Sequence, residues 1–405
     1  MASELVVPVV RLSNLREHPN AALLGLVDVL GYQMVIPLRE KEGGQFVRTF
    51  QRGIVDERGR RVIAEPGFDG ETEDVRFGFA YNETDLYVYF PADTLIPAEW
   101  ADKFGVRQYL RGPEKDRVGR IKLRGEPSFG LVVEVPASVD WHEGDNVAEY
   151  YGAQKYEPPI RASCGDAAPY DADIDPYFPK FTDVQNGRIY TDVLADGEEV
   201  VFTEKLHGTN AKIGIVNGNS VAGSMEVRRK RPVNENGEPC SFDSVEVKSS
   251  TYWFPWSCRG VKELIEFAWN GLPEASVSSS VLLYGEVYGG SVQSLDYGIP
   301  KGNGLGFRAF GLRVNGDFLD WDEFVALCES YGVETVPILH RGPFGMEKAK
   351  ELADGKSTMG KHIREGIVVY PVKERTNPRI GRAILKFIGT EYQLSKHQAR
   401  DTKDV

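Results

Sequence analysis

Punctuation constrains this chain more than any other feature. Through the first 150 residues, short apolar runs such as Leu26–Leu30, Leu86–Phe90 and Gly130–Val135 alternate with clusters of Gly, Pro, Asp and Asn. Runs this short, bounded by turn residues, make strands rather than free-standing helices. Little helical period appears there, so a small closed or half-closed barrel is the natural architecture. The whole chain carries 43 Gly and 23 Pro in 405 residues, which suits strands and turns better than a helical bundle. No stretch of about 18 apolar residues exists, which excludes a membrane-spanning helix. The start, MASELVVPVV, has neither a basic opening nor a long apolar core, so no signal peptide is expected.

Length predicts two domains at roughly 100–200 residues each. The first is expected over 1–155. Between Tyr156 and Pro179 the chain gathers Pro158, Pro159, Pro169, Pro176 and Pro179 with Asp166, Asp171, Asp173 and Asp175. Such a stretch buries little and predicts an extended linker over 156–179. Over 180–405 the pattern is mixed, giving an α+β class overall. Glu199–Thr203 and Ala211–Val216 predict strands around a polar turn, and Val281–Val287, Phe307–Val314, Gly366–Tyr370 and Arg382–Ile388 predict four more. Val261, Leu264, Ile265 and Ala268 share helical spacing, predicting a helix over Val261–Trp269. Asp320 with Glu323 has the form of a capping box opening a helix that stops before Gly332. The four cysteines (Cys164, Cys240, Cys258, Cys328) form no CxxC pair, which argues against a zinc site and fits a reducing cytoplasm.

The net charge of -12 would discourage a nucleic-acid partner if charge were uniform. It is not, and local patches decide such binding. Arg107, Arg111, Lys115, Arg117, Arg120, Lys122 and Arg124 crowd one window against Glu114 and Asp116 alone. Arg228-Arg229-Lys230-Arg231 forms a second basic island. The competing reading of each is a solvated face.

The sharpest local signal is Glu204-Lys205-Leu206-His207-Gly208-Thr209-Asn210. It ends one strand, turns at glycine and begins another, so Lys205 is a candidate nucleophile; the plain alternative is a hairpin with a solvated lysine. Farther on, Glu286, Glu365 and Lys386 each stand at the edge of an apolar strand, in LYGEVYG, REGIVV and ILKF. Two carboxylates and two lysines so placed are the set that a nucleotide-phosphate site with a metal needs.

In that order, KLHGTN, LYGEVYG, FRAFGL, REGIVV and ILKF resemble the motifs of the covalent nucleotidyltransferases, which include DNA ligases, RNA ligases and mRNA-capping guanylyltransferases. The HGTN that follows the lysine resembles the RNA-ligase branch. VVRLSNLREHPNAALLGLVDVLGYQ, DLYVYFPADTLIP and GRIKLRGEPSFGLVVEVP resemble the OB-type domain preceding the ligase module in one group of ATP-dependent RNA ligases. The resemblance runs from about Val7 to Tyr392. It implies an N-terminal OB-type β-barrel followed by a nucleotidyltransferase domain of antiparallel sheets with packed helices.

It also implies roles. Lys205 would attack the α-phosphate of ATP to form lysyl-AMP. Glu286 would touch the ribose or a metal-bound water, Glu365 would help hold Mg²⁺ or Mn²⁺, and Lys386 would meet the α-phosphate. Phe307 would stack on adenine, sharing a strand face with Ala309. Glu204, His207, Asn210 and either Arg228 or Arg229 would complete the nucleotide pocket; alternation turns Glu204 away from Lys205, toward base or backbone. Arg107, Arg111, Arg117, Arg120, Lys122 and Arg124 would contact nucleic acid through the OB domain. One departure stands out: where the family usually has a second lysine after Lys386, this chain has Ile388.

A free lysine with pKa about 10.4 is neutral for only about one part in a thousand near pH 7.4, a deficit of about 4 kcal/mol that the site must supply. Lys386, a divalent cation and desolvation all push that way. The expected activity is ATP-dependent RNA ligation of 3'-OH and 5'-phosphate ends, at nicks or breaks, by a cytoplasmic monomer with no membrane partner. The alternatives are a DNA-preferring ligase, a capping-type guanylyltransferase, a non-catalytic OB-domain binder with a decayed pocket, and a protein-modifying adenylyl transferase.

Overall fold

The computed structural model describes residues 4–21, 24–37, 85–157, 177–225, 227–272 and 279–395, and backbone strands within 40–76. The chain divides into two compact units, Glu4–Glu157 and a second one containing Pro158–Val405. The linker expected over 156–179 falls mostly on 158–176, outside the described residues.

In the first unit, two-residue turns set the strand pairing. Leu24–Val29 and Tyr32–Pro37 form a hairpin whose turn residues Leu30 and Gly31 both have positive φ (+50° and +80°), the geometry that matches strand twist. Arg120–Leu123 and Glu126–Phe129 repeat the device at Arg124 and Gly125 (φ +51° and +96°). Val9–Val10, Tyr87–Phe90 and Leu131–Glu134 make a third small antiparallel sheet. Two apolar clusters hold the unit, one around Val27, Met34, Tyr87 and Tyr89, the other around Val88, Phe90, Val118 and Tyr151. Where a barrel was expected, the described residues form several separate short sheets and close none.

The second unit is built on two larger sheets. One runs in the order Gln185–Asn186, Leu385–Ile388, Gly366–Pro371, Glu199–Lys205, Ile338–Pro343, antiparallel except at its Gln185–Asn186 edge. The other runs Arg228–Arg229, Asn219–Gly223, Thr209–Val216, Ser280–Tyr288, Gly306–Val314, Asp317–Phe318, antiparallel throughout. Both contribute to one apolar core, with Val201, Val368 and Tyr370 from the first and Ile213, Leu283 and Ala309 from the second. The predicted amphipathic helix spans Val261–Asn270 and buries Val261, Leu264 and Ile265.

Local differences have physical causes. Glu199–Lys205 and Thr209–Val216 are not a hairpin: they lie in different sheets, and Leu206–Gly208 carries the chain across. The second predicted helix spans Trp321–Tyr331 and ends at Gly332 (φ +69°), but Asp320 does not cap it with its side chain. That carboxylate is already taken, accepting from Lys373 Nζ at 2.6 Å and Glu374 N at 2.7 Å. Among the described residues, no helix is long and apolar enough to cross a membrane.

Candidate active site

The sheet-to-sheet crossing at Leu206–Gly208 creates the site, because it puts the end of one sheet against the end of the other. Gly208 permits the approach. A Cβ there would sit 2.2 Å from the carbonyl oxygen of Val287 and 3.0 Å from Cγ of Glu286. With only hydrogen in that space, Gly208 N–H donates to Glu286 Oε1 at 3.0 Å.

Lys205 ends its strand opposite Gly366, so its neighbour across the ladder has no side chain. Its Nζ reaches the carboxylate of Glu365, donating to Oε1 at 2.6 Å. The other oxygen of Glu365 lies 3.3 Å from His207 Nδ1. Three residues scattered over 160 positions thus meet around one carboxylate. Burial pushes the Glu365 carboxyl up, but the Lys205 ammonium and His207 more than offset it and hold it down at about 2. Glu286 behaves oppositely. Burial raises it to about 7, with nearby Lys205 only partly compensating and Glu365 adding repulsion. The pair therefore holds one firmly ionised carboxylate beside one poised near neutrality.

The remaining candidates fall into three groups. Lys386 pairs with Val368, which pairs with Thr203, so Lys386 shares a sheet face with Thr203 and Lys205, one row along. Ile388 occupies the Lys205–Gly366 row itself; the position where a second lysine is usual faces the nucleophile across a glycine. Asn210 pairs with Glu286, and its buried Oδ1 receives no hydrogen bond. These residues converge.

Glu204 and Phe307 are placed differently. Glu204 is 1 % exposed and turned from Lys205, as alternation requires; its Oε2 accepts from Thr358 N at 2.8 Å and Thr358 Oγ1 at 2.7 Å. Phe307 shares a face with Ala309 and lies over Gly285, whose Cβ would be 2.3 Å from the ring. Glu286 and Arg308 occupy the opposite face of that sheet, and Phe307 is 6 % exposed within the core. In the basic island, Arg229 is buried with its guanidinium 5.1 Å from the centre of the Tyr252 ring, and Tyr252 OH lies 3.5 Å from Thr209 Oγ1. Arg228 sits on the other face, partly exposed.

The basic window of the first unit does not form one free cationic face. Arg107 is tied to Asp102 at 2.8 Å, Arg111 donates to the carbonyl of Arg120, and Arg117 lies 4.0 Å over the Tyr156 ring. Arg120 is half-buried, while Lys122 and Arg124 are exposed beside it. Lys122 and Arg124 also line a cavity of about 1260 Å³ with Trp100 and Tyr109.

Two site residues escaped the sequence reading. Tyr297 accepts the backbone N–H of His207 at 2.6 Å, from a buried position with φ +48°. A left-handed backbone at a bulky residue costs about 1–3 kcal/mol and persists only where its surroundings hold it. Tyr392, from the short helix Thr390–Leu394, places its hydroxyl 3.4 Å from His207 Nδ1. A left-handed tyrosine leaves no mark in sequence, and Tyr392 had served only as the end of a resemblance.

The donor set suits a hard divalent cation: two carboxylates and a buried amide oxygen, with no thiolate. Among the described residues, no three His, Cys, Asp or Glu side chains form a cage. An ion held by Glu286 and Glu365 would therefore complete its shell with water and phosphate oxygens, as Mg²⁺ commonly does.

No curated protein sequence matches the chain. Solved structures of an RNA ligase from Naegleria gruberi do. An arginine-to-alanine variant with ATP and Mn aligns at TM-score 0.59 and 20% identity, covering 98% of this chain and 99% of that one. The same enzyme with PPi aligns at 0.58 and 19%, again over 98% and 99%. A lysine-to-methionine variant with AMP and Mn aligns at 0.59 and 19%, with equal coverage. These likenesses establish the fold. Residues 198–388, which hold Lys205, Glu286, Glu365 and Lys386, match the family model described as RNA ligase, so this stretch of the chain is similar to the RNA ligase family.

Proposed function

We propose that this protein is an ATP-dependent RNA ligase that joins 3'-OH and 5'-phosphate ends through a lysyl-AMP intermediate on Lys205. The observation that carries the reading is the ion pair of Lys205 with Glu365, flanked by His207 and Glu286 at the sheet crossing. An ammonium 2.6 Å from a firmly ionised carboxylate is a stored nucleophile rather than an active one. Glu365 fixes its direction, and the amine becomes reactive when the pair opens and Lys205 gives up its proton to solvent water. Its lone pair then forms the N–P bond to the α-phosphorus of ATP as the bond to pyrophosphate breaks. Glu286 and Glu365 would hold Mg²⁺ or Mn²⁺, which would supply positive charge to the phosphates.

The chain's own residues do the rest. Lys386, on the face of Lys205, offsets charge developing on the α-phosphate. Asn210, through its free Oδ1, and Arg229 shape the nucleotide pocket, whereas Phe307 and Glu204, buried on the faces turned away from Glu286 and Lys205, support it from behind. AMP passes to the 5'-phosphate of an RNA end, and a 3'-hydroxyl displaces it to close the phosphodiester. The first unit, read as OB-type, serves as the clamp for nicked or broken RNA, with Lys122 and Arg124 its most available cations.

The test is incubation with α-labelled ATP and Mg²⁺ or Mn²⁺, followed by denaturing electrophoresis of wild type and Lys205→Ala. Acid-labile label on wild type alone is the expected result. Folded, AMP-free protein that takes no label from any nucleotide refutes the reading. Nicked RNA and DNA substrates then separate an RNA ligase from a DNA-preferring one.

A further inference from the structure

The catalytic unit carries a second, cationic pocket beside the first. Tyr284 lies on the face of Glu286, two residues back along the strand, and Arg382 precedes Lys386 by four residues. There a cavity of about 570 Å³ is lined by Lys180, Tyr284, Arg313, Phe318, Asp317 and Arg382 among others.

Its donors are unusually placed. Arg382 is 7 % exposed. Its Nε and Nη2 grip both oxygens of Glu374 at 2.8 and 2.7 Å, and its guanidinium stacks 3.5 Å from the centre of the Phe318 ring. The third nitrogen, Nη1, is buried with no hydrogen-bond partner. An orphaned buried donor costs about 1–3 kcal/mol, more on a charged group. Arg313 approaches the same ring, its guanidinium carbon 6.0 Å from the centre, while its Nε is spent on the carbonyl of Gly316 at 2.8 Å. Two guanidinium groups therefore gather round one phenyl ring.

The acids nearby are mostly committed. Glu374 is bound to Arg382, and Asp320 to Lys373 and the N–H of Glu374. Arg375, also on the wall, is matched by Glu198. Asp317 is the acidic side chain on the wall that remains exposed. Arg382, whose buried Nη1 is unmatched, lines the cavity with Arg313 and Lys180.

We propose that this pocket binds a phosphate group, with Arg382 Nη1 and Arg313 as its principal donors. A compact oxyanion satisfies the orphaned N–H and adds the counter-charge that Arg313 lacks within the pocket; planar guanidinium donors suit phosphate geometry. The phosphate belongs either to an RNA backbone, a source that rests on the ligase reading, or to a free anion.

The experiment uses full-length protein, Arg313→Ala and Arg382→Lys. Arg313→Ala leaves the Arg382–Glu374 pair intact and keeps the assay meaningful if Arg382→Lys fails to fold. Two ligands are titrated: labelled orthophosphate by equilibrium dialysis, and a 5'-hydroxyl RNA oligonucleotide, which cannot be sealed, by fluorescence anisotropy across a salt series. Labelling of Lys205 by ATP is the control for the catalytic site and is expected to be unchanged. A roughly tenfold loss of RNA affinity in Arg313→Ala, with the salt slope shallower by about one, identifies a backbone phosphate. Saturable orthophosphate binding lost in Arg313→Ala, with RNA affinity intact, identifies a free anion. If both ligands bind wild type and variant alike, or neither binds wild type, the pocket is not a phosphate site, whatever the labelling control shows about the ligase reading.

Discussion

The lysine cluster and the basic window of the first unit place charge in opposite ways. Around Lys205, a few charges drawn from distant parts of the chain share one buried space, and each changes its neighbours: Glu365 is held at about 2 while Glu286 rises to about 7. Between Arg107 and Arg124, many charges from one short segment spread over a surface, and several are spent on neighbouring acids and carbonyls. The first arrangement concentrates free energy in single residues. The second distributes it, and salt screens it.

That contrast is broken most directly at Lys205. Lys205→Ala removes the nucleophile, and lysyl-AMP formation is expected to fall at least a thousandfold, to background, in a labelling assay. Because the change also leaves the buried Glu365 carboxylate without its partner, thermal stability is expected to fall, so labelling is read on protein shown to be folded. A variant that still acquires label at another lysine would show that the cluster does not concentrate the chemistry as argued.

How far the sequence disclosed this contrast differs by region. The strand edges at Lys205, Glu286, Glu365 and Lys386 were visible because apolar runs end where the chain reaches polar space. That Glu365 meets Lys205 is a long-range fact, anticipated only through the order of motifs. The crossing at His207–Gly208 looked like a hairpin, since local pattern does not reveal which sheet a strand joins. Alternation placed Phe307 with Ala309 but could not say that this face is core. In the basic window a charge count is additive, whereas the structure subtracts: Arg107 and Arg117 have acidic neighbours that sequence spacing does not pair. The capping box at Asp320 failed for the same reason, its carboxylate claimed by residues 53 and 54 positions away.

Gly208→Ala tests the cluster without touching a charge. The new methyl would meet the Val287 carbonyl at 2.2 Å, so the crossing must shift and Glu286 lose its backbone donor. Overpacking of this kind costs about 1–3 kcal/mol. We expect a lower unfolding midpoint in urea and a ten- to hundredfold drop in the labelling rate. An unchanged rate would mean that the approach of the two sheets is not what positions the carboxylates.

In the window, single changes should do far less. Lys122→Ala removes an exposed cation on the strand Arg120–Leu123. RNA affinity is expected to fall two- to fivefold near physiological salt, and the log–log salt slope to become shallower by about one. Labelling by ATP should be unaltered. A loss of more than about fiftyfold would show that this residue reads RNA as a concentrated contact, which would erase the contrast on the binding side.

The smallest effect belongs to an ion pair that lies in the catalytic unit yet outside the cluster. Glu198 accepts from Arg375 Nε at 2.8 Å and Nη2 at 2.7 Å, with side chains 20% and 37% exposed respectively. Burial pushes its carboxyl up, but Arg375 and the N–H of Ala195 outweigh that and leave it below the ordinary value. A carboxyl lowered by folding stabilises the native state above its unfolded pKa of about 4.3, and that contribution disappears as pH falls through the lower folded value. Because water and salt screen a pair this exposed, its worth is about 1 kcal/mol or less. Glu198→Gln should therefore lower the urea midpoint slightly at pH 7, converge with wild type as the pH drops below 4, and leave labelling of Lys205 intact. If the variant instead loses labelling, depth of burial is not what separates strong sites from weak ones here, and the two arrangements of charge differ by location alone.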